Sequence, residues 1–532
     1  MIFIDFEKPD FVLSFSGNEF ELDLHVVRNL PVREFIKKRR LWIVPGLAVK
    51  TIENLRGEWS PAALNAKKTI TNNLLQLVDY KFQSNGESNS KLRTYQKIGV
   101  NFLVHAKKSL LSDDMGLGKT IQAISALEEM GTQRNLILCP ASLKWNWANE
   151  FKKHFNIIPT IINGSKKERA ELWLSDNKYI VANYDLLSYD WNEMSQQWDA
   201  IIADEAVYLK THSSRRTKLA KKLKSDIRIA LSGLPIENNL MDFHSIMEWV
   251  RPGILPSYNR FKYRYCKFDY FGKLSGYQNL TELHLLTSPF VLRRKKEDVL
   301  TELPPKIYTD CPLELSSSAR KAYNALSDDF VQWLRAQPGV TPPSSVLEKL
   351  IRMRQFVEFP SIIGFDIPSI KLGWVKELVE GVDKLVVFSY FRDSVELLKN
   401  NLKAKYVLTG DTPIEDRVNL IEKFNLEDKG ILICSDAGRF GLNITGSDNI
   451  VHFGNFFNPA VMVQREDRLH RIGQKNVVKV FNPYIMDTLD EGIRNIFMAR
   501  KAEADDFMSG NELMSIARLS KEQFIRLVEG EV

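Results

Sequence analysis

The chain has 532 residues, 44% of them hydrophobic and 26% charged, with a formal net charge of +7. That composition fits a folded chain of three or four domains and argues against a fibrous or disordered one; no apolar run approaches the roughly 18 residues of a membrane span. Cys139, Cys266, Cys311 and Cys434 form no C-x-x-C pair, so zinc and disulfide frameworks lack support, and the positive balance permits a polyanionic partner without requiring one.

The opening stretch "MIFIDFEKPD" has no basic n-region and carries Asp5 and Glu7, which predicts no secretory signal. Reduced thiols then fit a cytoplasmic setting, in a bacterial or phage-infected cell, or a nucleus if the source is eukaryotic. Further on, "FELDLHVVRNL" (20–30) and "RLWIVPG" (40–46) read as strands, and "LAVKTIENLRG" (47–57) as a helix closing at Gly57. Residues 1–84 are therefore expected to form a small separate α+β unit before the polar linker "SNGESNS" (84–90).

The stretch "LLSDDMGLGKTIQAISALEEMG" (110–131) then predicts strand, loop and helix. Leu110 and Leu111 make a short strand. Ile121, Ile124 and Leu127 recur at helical spacing, and Gly131 can cap the helix. Between them lies most of the phosphate-binding pattern G-x-x-x-x-G-K-[ST], with Asp113 standing where the first glycine belongs. Asp113 precedes the tight part of the loop, so its presence need not abolish a phosphate cradle. The backbone of Met115, Gly116, Leu117 and Gly118 would approach the phosphates, Lys119 would reach the β/γ-phosphates, and the Thr120 hydroxyl would bind Mg²⁺. The plainer alternative is a flexible loop with a surface lysine.

Short continuous apolar runs follow: "LILC" (136–139), "YIVA" (179–182), "AIIA" (200–203) and "IRIAL" (227–231), then "KLVVFS" (384–389), "YVLT" (406–409), "ILICS" (431–435), "NIVHF" (449–453) and "VVKVF" (477–481). Unbroken apolarity is the mark of strands buried on both faces of a parallel sheet. Two such series predict two α/β domains, with the proline-rich "AQPGVTPPSS" (336–345) as an interruption between the two sheets. Asp204 and Glu205, which end "AIIADEA", are candidates to hold Mg²⁺ and to polarise an attacking water, respectively. Candidate motifs follow nearly every run, and in open α/β sheets ligands sit at the carboxyl ends of the strands.

In order along the chain, "LRTYQ", "DDMGLGKT", "CPASLKWNW", "DEA", "LSGLPIENN", "VLRRKKEDVLTELPPK", "GLNIT" and "QREDRLHRIGQ" resemble the Swi/Snf-related branch of superfamily 2 helicases over roughly residues 91–500. The resemblance implies an α/β fold with two RecA-like lobes, parallel sheets flanked by helices: lobe 1 at 91–290, a helical linker at 291–370, lobe 2 at 371–485 and a helical brace at 486–532. It implies ATP and Mg²⁺ as cofactors. It further implies a monomer that translocates along double-stranded DNA in the 3′→5′ sense, without routine strand separation. Gln96 would recognise adenine, Gly441 would join the nucleotide site, and Gln464, Arg468 and Arg471 would face the ATP held by the first lobe. Two departures stand out. Val207 and Leu234 occupy positions that the family usually makes polar, and we expect the two aliphatic side chains to pack on each other. Arg439 stands where the family favours glycine.

For DNA phosphates, Ser142, Lys144 and Asn183 are candidates in the first lobe, and Ser435, Arg439 and Asn443 in the second. Of Trp145 and Trp147, at least one is expected in the core. The basic runs "RRTKLAKKLK" (215–224) and "RRKK" (293–296) fit either a duplex-facing surface or a solvated face. In the amino-terminal unit, "VVRNLPVREFIKKRRLWIVP" (26–45) resembles the HepA-related (HARP-type) domain of annealing helicases. Lys37, Lys38, Arg39 and Arg40 would then face branched DNA, with Trp42 in the core; the alternative is a cap whose basic run is merely solvated. Three functions stay open: remodelling of branched DNA, displacement of proteins from DNA, and a weakly hydrolysing ATP-dependent clamp.

Overall fold

The computed structural model describes residues 2–8, 10–15, 20–37, 39–53, 55–78, 92–233, 235–236, 239–270, 274–336, 343–436, 443–454, 459–495 and 498. Lys38, Leu234, Arg439, Gly441 and most of the brace expected at 486–532 lie outside the described residues, so the Val207–Leu234 contact lies outside them too. The chain forms two compact units that part between Val299 and Leu300.

The first unit opens with β1 (Ile2–Glu7), β2 (Asp10–Phe15), helix α1 (Phe20–Arg28), β3 (Glu34–Ile36), β4 (Leu41–Pro45), β5 (Gly57–Trp59) and helix α2 (Pro61–Val78). The described strands lie in the order β3-β4-β2-β1-β5. Two sequence expectations are corrected here. The stretch at 20–30 is helical, because Leu24, Val27 and Leu30 turn inward at a spacing of three while Val26 stays 45% exposed. Gly57 starts a strand rather than ending a helix, and a Cβ there would sit 2.6 Å from the Ile2 carbonyl oxygen. Trp42 is buried, as expected. The apolar core of this region (Ile4, Phe11 and Val44 among others) is continuous with that of the following α/β layer, and Arg260 Nη1 donates to the Arg33 carbonyl at 2.9 Å.

Helix α3 (Thr94–Ala106) leads into β6 (Lys108–Leu111), helix α4 (Lys119–Glu129), β7 (Asn135–Cys139), helix α5 (Lys144–Phe155), β8 (Thr160–Ile161), β9 (Tyr179–Asn183), β10 (Gln197–Asp204) and β11 (Lys224–Leu231). After these come the antiparallel pair β12 (Cys266–Phe268) and β13 (Leu274–Tyr277), then β14 (Val291–Leu292). The main sheet runs β14-β6-β11-β10-β7-β9-β8, with every neighbour parallel. All five residues of β7 are buried, as an apolar run sandwiched between helix layers requires.

The second unit holds β15 (Lys306–Leu313), β16 (Lys384–Phe388), β17 (Tyr406–Leu408), β18 (Gly430–Cys434), β19 (Asn449–His452) and β20 (Val478–Ile485). Their order is β15-β20-β19-β16-β18-β17, again all parallel. Strand β15 corrects another expectation. It precedes the proline-rich stretch yet pairs along its whole length with β20, so that stretch interrupts the second unit instead of dividing the two sheets. Its outward, mostly polar face hides it from a search for apolar runs.

Candidate nucleotide site and nucleic-acid interface

In the first sheet, Leu111 of β6 pairs with Leu231 of β11, and Leu231 with Asp204 of β10. The loop after β6 and the Asp204–Glu205 pair therefore leave the same carboxyl edge, two strands and roughly 10 Å apart. Gly116 (φ 85°) and Gly118 (φ 76°) take the left-handed conformation that glycine adopts without strain. At Gly118 a Cβ would also lie 2.5 Å from Gln96 Nε2, so the turn closes only without a side chain there. Gln96 Nε2 and the Tyr95 hydroxyl each donate to the Leu117 carbonyl at 3.2 Å. Lys119 Nζ donates to the carbonyls of Asp113 (2.7 Å) and Asp114 (3.3 Å), and a Cβ on Gly233 would lie 3.6 Å from it. Gln96, Met115, Gly116, Leu117, Gly118 and Lys119 are thus brought together, with Thr120 in the first turn of α4.

Asp204 is held by its neighbours. Trp147 Nε1 donates to Asp204 Oδ2 at 2.8 Å, the Glu205 amide to Oδ1 at 2.9 Å, and the Tyr184 hydroxyl to the Asp204 carbonyl at 2.7 Å. Burial, reinforced by the nearby Asp204 carboxylate, pushes the Cys139 thiol and the Tyr184 phenol well up, so both stay neutral. Glu205 itself sits at φ 48°, ψ 57°, a left-handed conformation costly for a residue with a Cβ. Trp147 is fully buried, which meets the expectation that at least one of Trp145 and Trp147 lies in the core. Leu143, just before α5, and Trp147 and Phe151 within it are buried at a spacing of four, and the indole N–H points at Asp204.

The second unit gathers its own motif. Helix Pro459–Glu466 and the turn after it bury Gln464, Arg465, Glu466, Asp467, Arg468 and His470. Arg465 Nη2 reaches Asp436 Oδ1 at 2.5 Å, with its guanidinium 5.0 Å from the Phe388 ring centroid. Glu466 accepts from Lys306 Nζ (2.8 Å) and the Tyr308 hydroxyl (2.7 Å), and His470 Nε2 lies 2.7 Å from the Pro304 carbonyl. Burial works against the Glu466 carboxylate, yet Lys306 and His452 together outweigh it and hold Glu466 well below the usual range. The Arg468 Nε donates to the Gln464 carbonyl at 3.2 Å, and half-buried Arg471 donates to the Asn443 side-chain oxygen.

A model of the SNF2-related domain matches residues 95–362, and one of the helicase conserved C-terminal domain matches 370–473. The chain belongs to the SNF2-related family. An uncharacterized ATP-dependent helicase of Mycoplasma genitalium is 32% identical to this SNF2-related chain over 465 residues, covering 83% of the chain and 44% of the relative. The TATA-binding protein-associated factor MOT1 of Saccharomyces cerevisiae is 29% identical over 503 residues, 76% of this chain and 27% of that protein. The solved SWI2/SNF2 ATPase core of Sulfolobus solfataricus in complex with double-stranded DNA is 28% identical, covering 84% of this chain and 99% of that one, with a TM-score of 0.41. The chain spans less than half the length of the curated relatives it matches first.

The residues expected on DNA divide. Ser142, at the start of the loop after β7, and Asn183, at the end of β9, sit half-buried on the edge that carries the SNF2-related nucleotide motif. Lys144 does not join them and is corrected. Its buried ammonium turns inward to the Ile162 carbonyl (2.8 Å) and Asn163 Oδ1 (3.1 Å), and burial lowers its pKa. Of the run at 293–296, Arg294 and Lys296 are likewise drawn inward, Arg294 onto Asp113 and Lys296 to 7% exposure. In the second unit Ser435 is half-buried after β18, and Asn443 is exposed. The basic run of the amino-terminal region occupies the β3–β4 turn. There Lys37, Arg39 and Arg40 are exposed, with Arg39 Nη1 reaching the Glu7 carboxylate at 2.6 Å. Among the described residues no helix is long and apolar enough to cross a membrane.

Proposed function

We propose that this chain is an ATP-driven motor that translocates on double-stranded DNA and remodels branched DNA. The observation that carries the reading is the sheet edge on which the Lys119 loop and the Trp147-held Asp204 stand two strands apart. Lys119, the loop amides and Gln96 bind and orient the nucleotide. Thr120 and Asp204 fit a divalent cation: a hydroxyl and a carboxylate are oxygen donors of the kind such an ion takes, and hydrogen bonds from Trp147 Nε1 and the Glu205 amide orient the Asp204 carboxylate. Mg²⁺ bound there would supply neutralisation of phosphate charge. Glu205 orients and deprotonates the attacking water. Gln464, Arg468 and Arg471 are assigned the charge-stabilising role that the resemblance implies.

Two expected results test this. Full-length protein shows ATP turnover stimulated by duplex DNA, and Lys119→Ala removes it; turnover indifferent to DNA would end the translocase reading. Trp147→Phe keeps an aromatic side chain but loses the pyrrole ring and with it the N–H that orients Asp204. Since hydrogen bonds to charged groups are worth roughly 1.5–3 kcal/mol, turnover at limiting Mg²⁺ falls at least about tenfold in a Mg²⁺ titration.

The branched-DNA role is supported by the exposed β3–β4 turn and is tested on forked against linear duplex. Deleting residues 1–84 is unsuitable, because their core is shared with the first α/β layer. Lys37→Ala with Arg40→Ala keeps that core and erases the preference for forks. It also lowers the slope of log affinity against log salt by about 0.9 for each phosphate no longer neutralised. A second reading, displacement of bound protein, is favoured by the likeness to MOT1, a TATA-binding protein-associated factor. Equal activity on forked and linear DNA, together with release of a protein roadblock, would select it.

A further inference from the structure

We propose that Arg294 is a positioning residue for the nucleotide: bound to Asp113 and Gln122, it sets the Leu117–Gly118 peptide so that the Gly118 amide faces the phosphates. The proposal rests on the ATP-binding reading above. Arg294 comes from the segment after β14, about 180 residues beyond the loop it serves, and its guanidinium is 12% exposed against a fully buried Asp113 carboxylate. Nε donates to Asp113 Oδ1 at 2.9 Å, Nη2 to Asp113 Oδ2 and to Gln122 Oε1 (2.8 Å), and Nη1 to the Tyr95 carbonyl.

A guanidinium only donates, so it selects the oxygen end of the Gln122 amide. The nitrogen end must then face the loop, where Nε2 lies 3.2 Å from the Leu117 carbonyl and 3.3 Å from that of Gly118. Nε2 also donates to Asp113 Oδ2 at 3.2 Å, so Arg294, which holds both that carboxylate and the amide oxygen, fixes the Gln122 side chain at both ends, and its loss frees the amide to move off the loop. The Leu117 carbonyl also accepts from Tyr95 and Gln96, so it is pulled inward by three donors. In a trans peptide the N–H points opposite the C=O, which turns the Gly118 amide away from these donors and out of the loop. Gly99 leaves the room this needs, since a Cβ there would lie 1.8 Å from Gln122 Oε1 and 2.8 Å from Arg294 Nη2. Asp113 replaces the first glycine of the pattern because its carboxylate neutralises this buried arginine.

The test titrates full-length protein with N-methylanthraniloyl-ATP and follows thermal unfolding in parallel. Arg294→Lys keeps the charge and loses the fork; Asp113→Asn keeps the shape and loses the charge. Both are expected to raise the Kd at least about tenfold and the KM for ATP with it, while kcat at saturating ATP stays within about threefold. Arg264→Lys breaks a comparable fork on Glu282 in the same unit and is expected to lower Tm with the Kd unchanged. A wild-type Kd in both loop variants overturns the proposal whatever happens to Tm, and so does an equal weakening in Arg264→Lys. Failure of the wild-type protein to bind the analogue overturns the ATP reading itself.

Discussion

Glu205→Gln is expected to cut ATP turnover by about 10²–10⁴-fold, the usual worth of a positioned general base, while nucleotide affinity holds within about threefold. The amide keeps the shape and backbone of the glutamate but cannot take a proton. Steady-state turnover with saturating duplex DNA, set beside a binding titration, separates the two effects. The backbone supplies an independent check. Glu205 follows β10 in a left-handed conformation (φ 48°), which costs a residue with a Cβ roughly 1–2 kcal/mol. Glu205→Gly relieves that cost, so its Tm should rise as its turnover collapses, the pattern of strain kept for function. Unchanged turnover in Glu205→Gln removes the water-activating role.

The second large effect concerns stability. Lys306 begins β15, and Glu466 closes the helix that carries Gln464 and Arg465; the pair meets at 2.8 Å with Glu466 1% exposed. Removing one partner of a buried ion pair typically costs about 3–5 kcal/mol, because the other charge stays buried. Lys306→Met should therefore lower the calorimetric transition of the second unit by roughly 10 °C. Lys306→Met with Glu466→Met should recover part of the loss, since Glu466 no longer stays buried without its partner, while Asp467, 3.7 Å from Lys306, still loses that cation. Acid gives the same result by another route. Glu466 titrates lower folded than unfolded, so its contribution is present above about pH 4.3 and fades as pH falls toward its depressed folded value. Lys306 is raised well above its ordinary value despite burial, so its contribution is complete below about pH 10.4 and fades as pH rises from there toward its raised folded value. A second-unit transition insensitive to Lys306→Met would mean that the pair does not stabilise it.

What is legible in the amino-acid sequence is whatever local physics repeats. Strands buried on both faces must be apolar throughout, so β7, β9, β10, β11 and β16 to β20 stand out as runs. A backbone that closes around phosphate needs residues free of a Cβ penalty, so Gly116 and Gly118 mark the loop in the sequence itself. The amino-terminal helix α1 reads as a strand because its β-branched pair imitates one, and only Leu24, Val27 and Leu30 facing one core decide otherwise. Strand β15 escapes notice because a sheet-edge strand with a polar face has no apolar run to betray it.

The tertiary structure decided which charges are available. Lys144, Arg294 and Lys296 look in sequence like any other surface cation, and all three are drawn inward, Lys144 and Arg294 onto the carbonyls, amide oxygen and carboxylate of distant segments. It also decided why Asp113 stands where glycine was expected. A carboxylate in that loop is an anomaly until an arginine about 180 residues further on is folded against it, and no local pattern encodes a pairing that only the chain's return creates.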